Sequence, residues 1–486
     1  MHDIEQTIDY SRKWTVMAAV SMGIFLATID GSIVNIALPT LVRELHTNFA
    51  TVQWVVLSYL LALSTLLPGM GRLGDMIGKK PVYTTGFIVF TVGSVLCGLA
   101  PNIYWLIGFR VVQAVGGAMV FALGIAIVTE AFPPQERGKA LGFAGTVVSV
   151  GIVVGPTLGG IIIDALSWHW IFLVNLPVGI IGTLMVLRFV PNFKPVGSQK
   201  FDFLGAITLF VSLVSLLVAL TWGQGIGFTD PRILLLLGLW LLFLLLFVAI
   251  EWRVSQPMIE LSLFRNNLFS VGLITGFITF VAIAGTTILI PFYLENVLGY
   301  SPRQTGLLLA VVPVVLGVVA PASGALSDRL GTRLISVVGL GLLVLGYWAL
   351  STLTAETTAL GYVLRLLPIG LGMGVFQSPN NSAIMGAVPR QRLGIASGLL
   401  SVTRTLGQTS GIAVLGAWWA SRVMAYTGQI LPEGATSAPV AAQVAGLHDT
   451  FLAVTAMVVV ALLLAGWALV QERRLGQPEG SPVGSG

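Results

Sequence analysis

Apolar stretches of about twenty residues recur along the whole chain, separated by short turns that hold nearly all of the charge. At about 1.5 Å of rise per residue, such a stretch spans the roughly 30 Å hydrocarbon core of a bilayer as an α-helix. Lipid offers backbone groups no partners, so segments of this length must bond internally as helices. The pattern predicts an all-α integral membrane fold with fourteen transmembrane helices. The first seven cover residues 14–38, 52–70, 82–100, 103–127, 140–163, 171–187 and 203–222. The second seven cover 233–250, 268–292, 305–326, 334–353, 358–376, 395–419 and 451–470. The first segment follows Arg12 and Lys13 as a signal core would. It is longer than the roughly 7–15 residues of such a core and has no convincing cleavage site, so it is read as a retained helix.

An even number of spans places both termini on one side, and charge decides which. Of the 25 Lys and Arg residues, 18 fall in the termini and the even-numbered turns. Only Arg43, Arg232, Arg303 and Arg422 fall in the opposite turns, and Arg110, Arg365 and Arg404 lie inside helices. The positive-inside rule then predicts cytoplasmic termini in a cell inner or plasma membrane.

Composition narrows the class further. Only 9% of the 486 residues are charged and 56% are hydrophobic, against roughly 25% charged in soluble domains. The net charge of +5 is dispersed through short loops, so no nucleic-acid partner is expected. Cys97 is the single cysteine, and His2, His46, His169 and His448 form no metal-like spacing. No Walker-type glycine loop is present, so no nucleotide site is expected, and neither a metal nor a cofactor is expected. The expected partners are the lipid bilayer and small-molecule substrates, with the chain monomeric.

The chain also repeats itself. GRLGDMIGKK from Gly71 aligns with GALSDRLGTR from Gly324 at an offset of 253 residues, pairing Asp75 with Asp328 and Gly78 with Gly331. Pro134, Arg137, Gly138, Ala140 and Gly142 reappear as Pro389, Arg392, Gly394, Ala396 and Gly398, with one residue of slip. Two six-helix bundles, residues 1–190 and 265–472, are therefore expected. Two inserted helices would occupy 191–264, and 473–486 would form a disordered cytoplasmic tail. Parallel repeats of this kind place a substrate site between the halves and alternate its access by rocking.

These motifs carry a family resemblance. GRLGDMIGKK resembles the signature turn of the major facilitator superfamily, RVVQAVGG from Arg110 its fourth-helix motif, and GIVVGPTLGG from Gly151 its antiporter motif. IDGSIVNIALP from Ile29 and WHWIFLVNLPVG from Trp168 resemble segments of the fourteen-helix drug:proton antiporter family, the EmrB/QacA-like multidrug exporters. Met76 and Ala114 depart from the pattern, where Arg and Gly are usual. The resemblance implies a proton-coupled multidrug antiporter that exports small hydrophobic or amphipathic compounds by alternating access. A proton-linked carrier of one dedicated metabolite and a membrane-embedded enzyme remain alternatives, although no nucleophile motif occurs.

Among individual residues, Asp30 is the carboxylate set deepest in an apolar segment, where a charge is costly and a proton-exchanging role is the natural reading. Counting at 1.5 Å per residue puts it about 12 Å, and Arg110 about 10 Å, from the same membrane face. They are expected to form a switchable proton-coupling pair. Asn35, Gln113, Gln377, Arg404 and Gln408 are candidate cavity residues. Gly71, Asp75, Gly78, Lys79, Lys80, Glu130, Arg137 and Asp328 are expected to form a conformational latch between the inner ends of the halves. In the antiporter motif, Gly151, Gly155, Pro156, Gly159 and Gly160 allow close helix approach and a bend. The resemblance implies that they also seal against leak. Glu295 is read as a vestibule charge, Arg365 as a snorkelling one, and 425–449 as an external loop.

Overall fold

The computed structural model describes residues 12–133, 136–192, 202–254, 261–388, 393–428, 431 and 434–475. All regular structure among them is helical. The first group comprises α1 (Lys13–Glu44), α2 (Phe49–Val52), α3 (Trp54–Ile77), α4 (Lys79–Gly98), α5 (Ile103–Ala131), α6 (Arg137–Ala165), α7 (Trp170–Leu173) and α8 (Asn175–Phe189). Next come α9 (Phe203–Ile226) and α10 (Pro231–Glu251). The last group comprises α11 (Asn267–Phe292), α12 (Pro302–Leu309), α13 (Val311–Leu330), α14 (Thr332–Ser351), α15 (Ala359–Gly386), α16 (Leu393–Thr427) and α17 (Val440–Leu475). α2 continues into α3, α7 into α8, and α12 into α13 across single residues, and a π turn (Tyr293–Val297) extends α11.

Thirteen helical stretches are long and apolar enough to cross a membrane. α16 has 35 residues but is absent from these. Its first half carries Ser401, Thr403, Arg404, Thr405, Gln408, Thr409 and Ser410, which lower its hydropathy. Polar caps set where the rods begin. Asn48, Asn102, Asp202, Asp230, Asn266 and Thr358 each accept a backbone N–H of the following turn, and Ser301 and Gln304 form a capping box.

The region expected as an external loop, 425–449, is largely helical. α16 runs on to Thr427 and α17 already begins at Val440. Arg422 bridges Asp449 at 2.6 Å, and Gln443 Nε2 donates to the carbonyls of Thr436 and Ala438. Helices can continue past the hydrocarbon where polar side chains satisfy their flanks, a feature that hydropathy does not register. α17 likewise takes 473–475 out of the expected tail; 476–486 lie outside the described residues, as do 193–201 and 255–260 of the expected linkers.

The internal repeat has a backbone counterpart. Gly78 adopts φ 104°, ψ 140° and Gly331 adopts φ 92°, ψ 138°. Each is the hinge between two consecutive helices, and their N–H groups bond to Gly74 O and Ser327 O, also 253 residues apart. A side chain is strained in this region of φ/ψ space, so glycine at both positions is dictated by the reversal itself.

Packing follows the same division. α1 packs on α5, α6 and α8, and α4 and α3 on α5. α11 packs on α16 and α17, and α14 and α13 on α15. The two groups meet where α6 crosses α12 and α13, where α3 crosses α16, and where α1 crosses α11. α9 touches α3 and α16, whereas α10 packs mainly on α9 and exposes Leu234, Leu235, Leu241, Leu242 and Leu245.

The apolar core is shared at one end of the bundle and divided at the other. Ile36, Leu38, Phe49 and Val52 form one cluster with Ile288, Leu289, Phe292 and Trp419. Toward the opposite end, Met17, Val20, Phe87 and Val128 form a core confined to the first group, and Phe269, Leu273, Ile384 and Ala396 form another in the last. The groups are thus joined at one end and separate at the other.

Gly78→Ala and Gly331→Ala are each expected to cost about 1–3 kcal/mol through backbone strain. Gly238→Ala, in an exposed helical position with open space at Cβ, should leave the thermal unfolding midpoint in detergent unchanged or raised. Unchanged midpoints for both hinge variants would contradict the strain argument.

Candidate functional site

Asp30 lies in the middle of α1 with none of its surface exposed, and Arg110 of α5 is 1% exposed. Arg110 Nη1 donates to Asp30 Oδ2 at 2.6 Å and to Gln113 Oε1 at 2.5 Å, while its Nε donates to the Val55 carbonyl at 3.0 Å. The other carboxylate oxygen accepts from Gln113 Nε2 at 2.7 Å and from Asn175 Nδ2 at 3.1 Å. Gln113 and Asn175 also donate to Ser94 Oγ, at 2.7 and 3.3 Å. The guanidinium lies 4.2 Å from the ring centre of Tyr59. Five helices, α1, α3, α4, α5 and α8, thus converge on one ion pair.

Local sequence explains the convergence. Asn102 caps α5 by accepting from Tyr104 N and Trp105 N, which sets Arg110 two turns into that helix. Gln113 follows three residues later on the same face. The single-residue break at Val174 starts α8 with Asn175, aimed back at α1. Enclosing an ion pair costs several kcal/mol per ion unless further hydrogen bonds compensate it, and here the Gln113 and Asn175 amides and the Val55 carbonyl supply them. The Tyr59 hydroxyl is buried without a partner.

Depth counting brought Asp30 and Arg110 to one level, and the structure joins them. Asn175, Ser94 and Tyr59 were not anticipated. Asn175 lies inside the quoted WHWIFLVNLPVG motif, and Ser94 is the one serine of the segment 82–100; those were the available signals. Gln113, expected at the cavity wall, is fully enclosed within the cluster. Asn35 stands apart from it, its Nδ2 donating to Gly31 O at 3.1 Å and its Oδ1 buried without a partner. Gln377, Arg404 and Gln408 are half-buried on α15 and α16, and the Arg404 guanidinium lies 5.4 Å from the ring centre of Phe280.

The expected latch is only partly visible. Lys79 pairs with Glu130, and Lys80 Nζ donates to Leu187 O at 2.9 Å. Both contacts lie within the first group, between α4 and α5 and between α4 and α8, not across the seam. Lys13 pairs with Glu136 at 2.6 Å. Gly71 has open space around it; the side chains of Asp75, Arg137 and Asp328 lie outside the described residues.

The glycine motif of α6 is wedged between two helices. Side chains at Gly151, Gly155 and Gly159 would meet Thr28, Ser32, Ile33 and Ile36 of α1, and one at Gly160 would strike the Pro302 carbonyl of α12. Gly306 of α12 lies against Pro156 O in turn. At the same end, Arg43 Nη2 bonds Glu295 Oε2 at 3.0 Å, joining α1 to the end of α11. Phe49 stacks edgewise on Phe292 and Trp419, with centroids 5.0 and 4.9 Å apart. Arg365 bonds Thr352 Oγ1 and Gly361 O near its helix start. Among the described residues no group of His, Cys, Asp and Glu forms a metal-binding cluster.

A bundle of membrane-length helices in two groups, joined at one end and enclosing an ion pair within the first group, is an architecture of transporters. The chain belongs to the major facilitator superfamily, whose sequence profile matches residues 20–412. It is 36% identical to the riboflavin transporter RibZ of Clostridioides difficile, over 84% of this chain and 89% of that one. It is 34% identical to the multidrug resistance protein Stp of Mycobacterium tuberculosis, over 86% and 78% of the two chains. Against the multidrug transporter protein MdtP of Bacillus subtilis the identity is 30%, over 90% and 82%. In fold it is similar to a bacterial homolog of the human lysosomal transporter Spinster, solved inward-facing and unoccupied, with a TM-score of 0.69, 18% identity and coverage of 97% and 99%.

Arg110→Ala strands Asp30 without its counter-charge and is expected to lose about 3–5 kcal/mol of stability. Tyr59→Phe removes only an unpartnered hydroxyl and keeps the ring under Arg110, so its unfolding midpoint in detergent should match or exceed the parent's. A midpoint lowered as far by Tyr59→Phe as by Arg110→Ala would contradict this assignment.

Proposed function

We propose that the protein is a proton-coupled antiporter that exports small hydrophobic or amphipathic compounds across the cell membrane by alternating access. In this reading α16 supplies the fourteenth span, and residues 1–190 and 265–472 form two six-helix bundles around a central path. Residues 191–264 supply two inserted helices, and both termini are cytoplasmic. The charge bias along the chain supports that orientation. It puts the end closed by Arg43, Glu295, Phe49 and Trp419 outside, so that the separated end faces the cytoplasm. The proton gradient is the energy source, worth about 2.3 kcal/mol per charge per 100 mV before its pH component, with no cofactor; the chain works as a monomer in lipid.

The observation that carries the reading is the enclosed Asp30–Arg110 pair. Arg110, Gln113 and Asn175 all present donors to the carboxylate. A proton arriving on Asp30 cancels the counter-charge of Arg110 and must itself find an acceptor. The five-helix cluster then rearranges, and α1 moves with it. Because α1 packs against the glycine face of α6, which itself crosses α12, and bonds Glu295 through Arg43, a shift of α1 reaches the closed end by two routes. For antiport the proton is taken up from outside while that end is open, so that uptake drives its closing and release to the cytoplasm precedes the loading of cargo.

The names of Stp and MdtP favour varied drug-like cargo. RibZ, a riboflavin transporter by name and the most similar of the three, favours a second reading in which the same machinery carries one dedicated metabolite.

Inverted vesicles with an acidic lumen should accumulate cargo, and an uncoupler should abolish the accumulation. Asp30→Asn should reduce gradient-driven accumulation at least tenfold while leaving downhill exchange of cargo for cargo. Accumulation that survives in Asp30→Asn would overturn the coupling role. A panel containing both dyes and riboflavin separates broad from dedicated transport.

A further inference from the structure

The two seam helices α6 and α16 correspond through the repeat, which past its one-residue slip runs at an offset of 256: Gly138 with Gly394 and Gly142 with Gly398. The same offset pairs Gly151 with Gly407, Gly155 with Gly411 and Gly160 with Gly416. These glycines do equivalent work. Gly151 and Gly155 lie against Thr28, Ile29 and Ser32 of α1, while Gly407 and Gly411 lie against Phe277, Phe280 and Val281 of α11. Gly160 meets Pro302 across the seam, and Gly416 meets Gln53 across it. The helices therefore stand in matching positions, and matching residues occupy matching places on the two walls.

One pair of places breaks the symmetry. Val148 and Ile152 of α6 correspond to Arg404 and Gln408 of α16, and all four keep part of their surface accessible. The interactions of Arg404 within the described residues consist of its approach to the Phe280 ring. It has no ion pair and no hydrogen bond there. The carboxylates Asp30 and Glu295 are already bound to Arg110 and Arg43. Among the described residues Arg404 is thus a guanidinium near mid-membrane with no ionic partner, where an uncompensated arginine is costly.

We propose that Arg404 is the head-group site for cargo and that the cargo is an amphipathic organic anion. Its carboxylate or equivalent oxyanion bonds the guanidinium fork, with Gln408 one turn further along α16 as a second donor. Its apolar body rests on Val148 and Ile152 of the opposite wall. A planar fork suits paired oxygens, and a ring beside it suits a flat cargo. The same charge repels cationic compounds. This inference rests on the transport reading above and adds cargo charge and orientation to it.

The test uses three probes sharing one planar fluorescent body: a carboxylate, its methyl ester and a quaternary-ammonium analogue. Equilibrium binding to the purified full-length protein in detergent is followed by fluorescence anisotropy, with no gradient present. The carboxylate is expected to bind at least tenfold tighter than the ester, and the ammonium probe weakest. R404Q should bring carboxylate binding to within twofold of ester binding, and R404K should retain most of the preference. The ranking in the unsubstituted protein tests the proposal even if R404Q fails to fold. Equal binding of the three probes, tighter binding of the ammonium probe, no binding at all, or a preference unchanged in R404Q would overturn it. If the carboxylate binds as expected yet no probe is moved by a proton gradient in vesicles, the head-group site stands and the transport reading fails.

Discussion

An ionised aspartate and an arginine enclosed by hydrocarbon have only each other and a few fixed dipoles to replace water. That constraint organises the first half of the protein. Asp30 needs a donor for each oxygen, and Arg110 needs acceptors for its remaining N–H groups. Meeting those needs brings a Gln, an Asn, a Ser and a backbone carbonyl from separate helices to one point. The cluster is rigid because every member is oriented by another. It is also brittle, because changing the charge of one member leaves the others with bonds that no longer close.

Duplication supplies the frame and departs from symmetry where chemistry is needed. The Gly78 and Gly331 hinges share one backbone geometry, and the glycines of α6 and α16 make related crossings. At the same offset of 253, Asp30 corresponds to Ile283, and neighbouring α11 positions are apolar. The second half therefore has no copy of the ion pair on its first helix. It carries its own charge instead, on α16, at a place where the first half has valine. In the proposed reading, a repeated scaffold with unshared charges lets one half sense the proton while the other meets the solute.

The distribution of apolar contact gives the two ends different strengths. At one end, side chains from both halves form a common core, reinforced by the Arg43–Glu295 bridge and the rings around Phe49. At the other, each half keeps its own core. Opening the joined end must expose that shared surface, and closing the separated end must bury an equivalent one. Glycine-lined crossings suit this exchange, since small residues let helices slide without lifting apart.

Much of this was legible in one dimension. Hydrocarbon thickness and the need for internal backbone bonding act on each segment separately, so apolar runs delimit the spans. The repeat reads directly as matched letters, and the shared depth of Asp30 and Arg110 follows from counting along two helices. Rotation about helix axes is not written that way. It decided that Gln113 turns into the ion-pair cluster while Asn35 turns back on its own helix, and that Asn175, Ser94 and Tyr59 complete the site. It also decided that Lys79 of α4 reaches Glu130 of α5. The sequence by itself determined the apolar spans and the shared depth of Asp30 and Arg110, because those depend on the local medium. Only the tertiary structure decided which charges share a partner and which end of the bundle is closed, because those depend on how whole helices turn and tilt against one another.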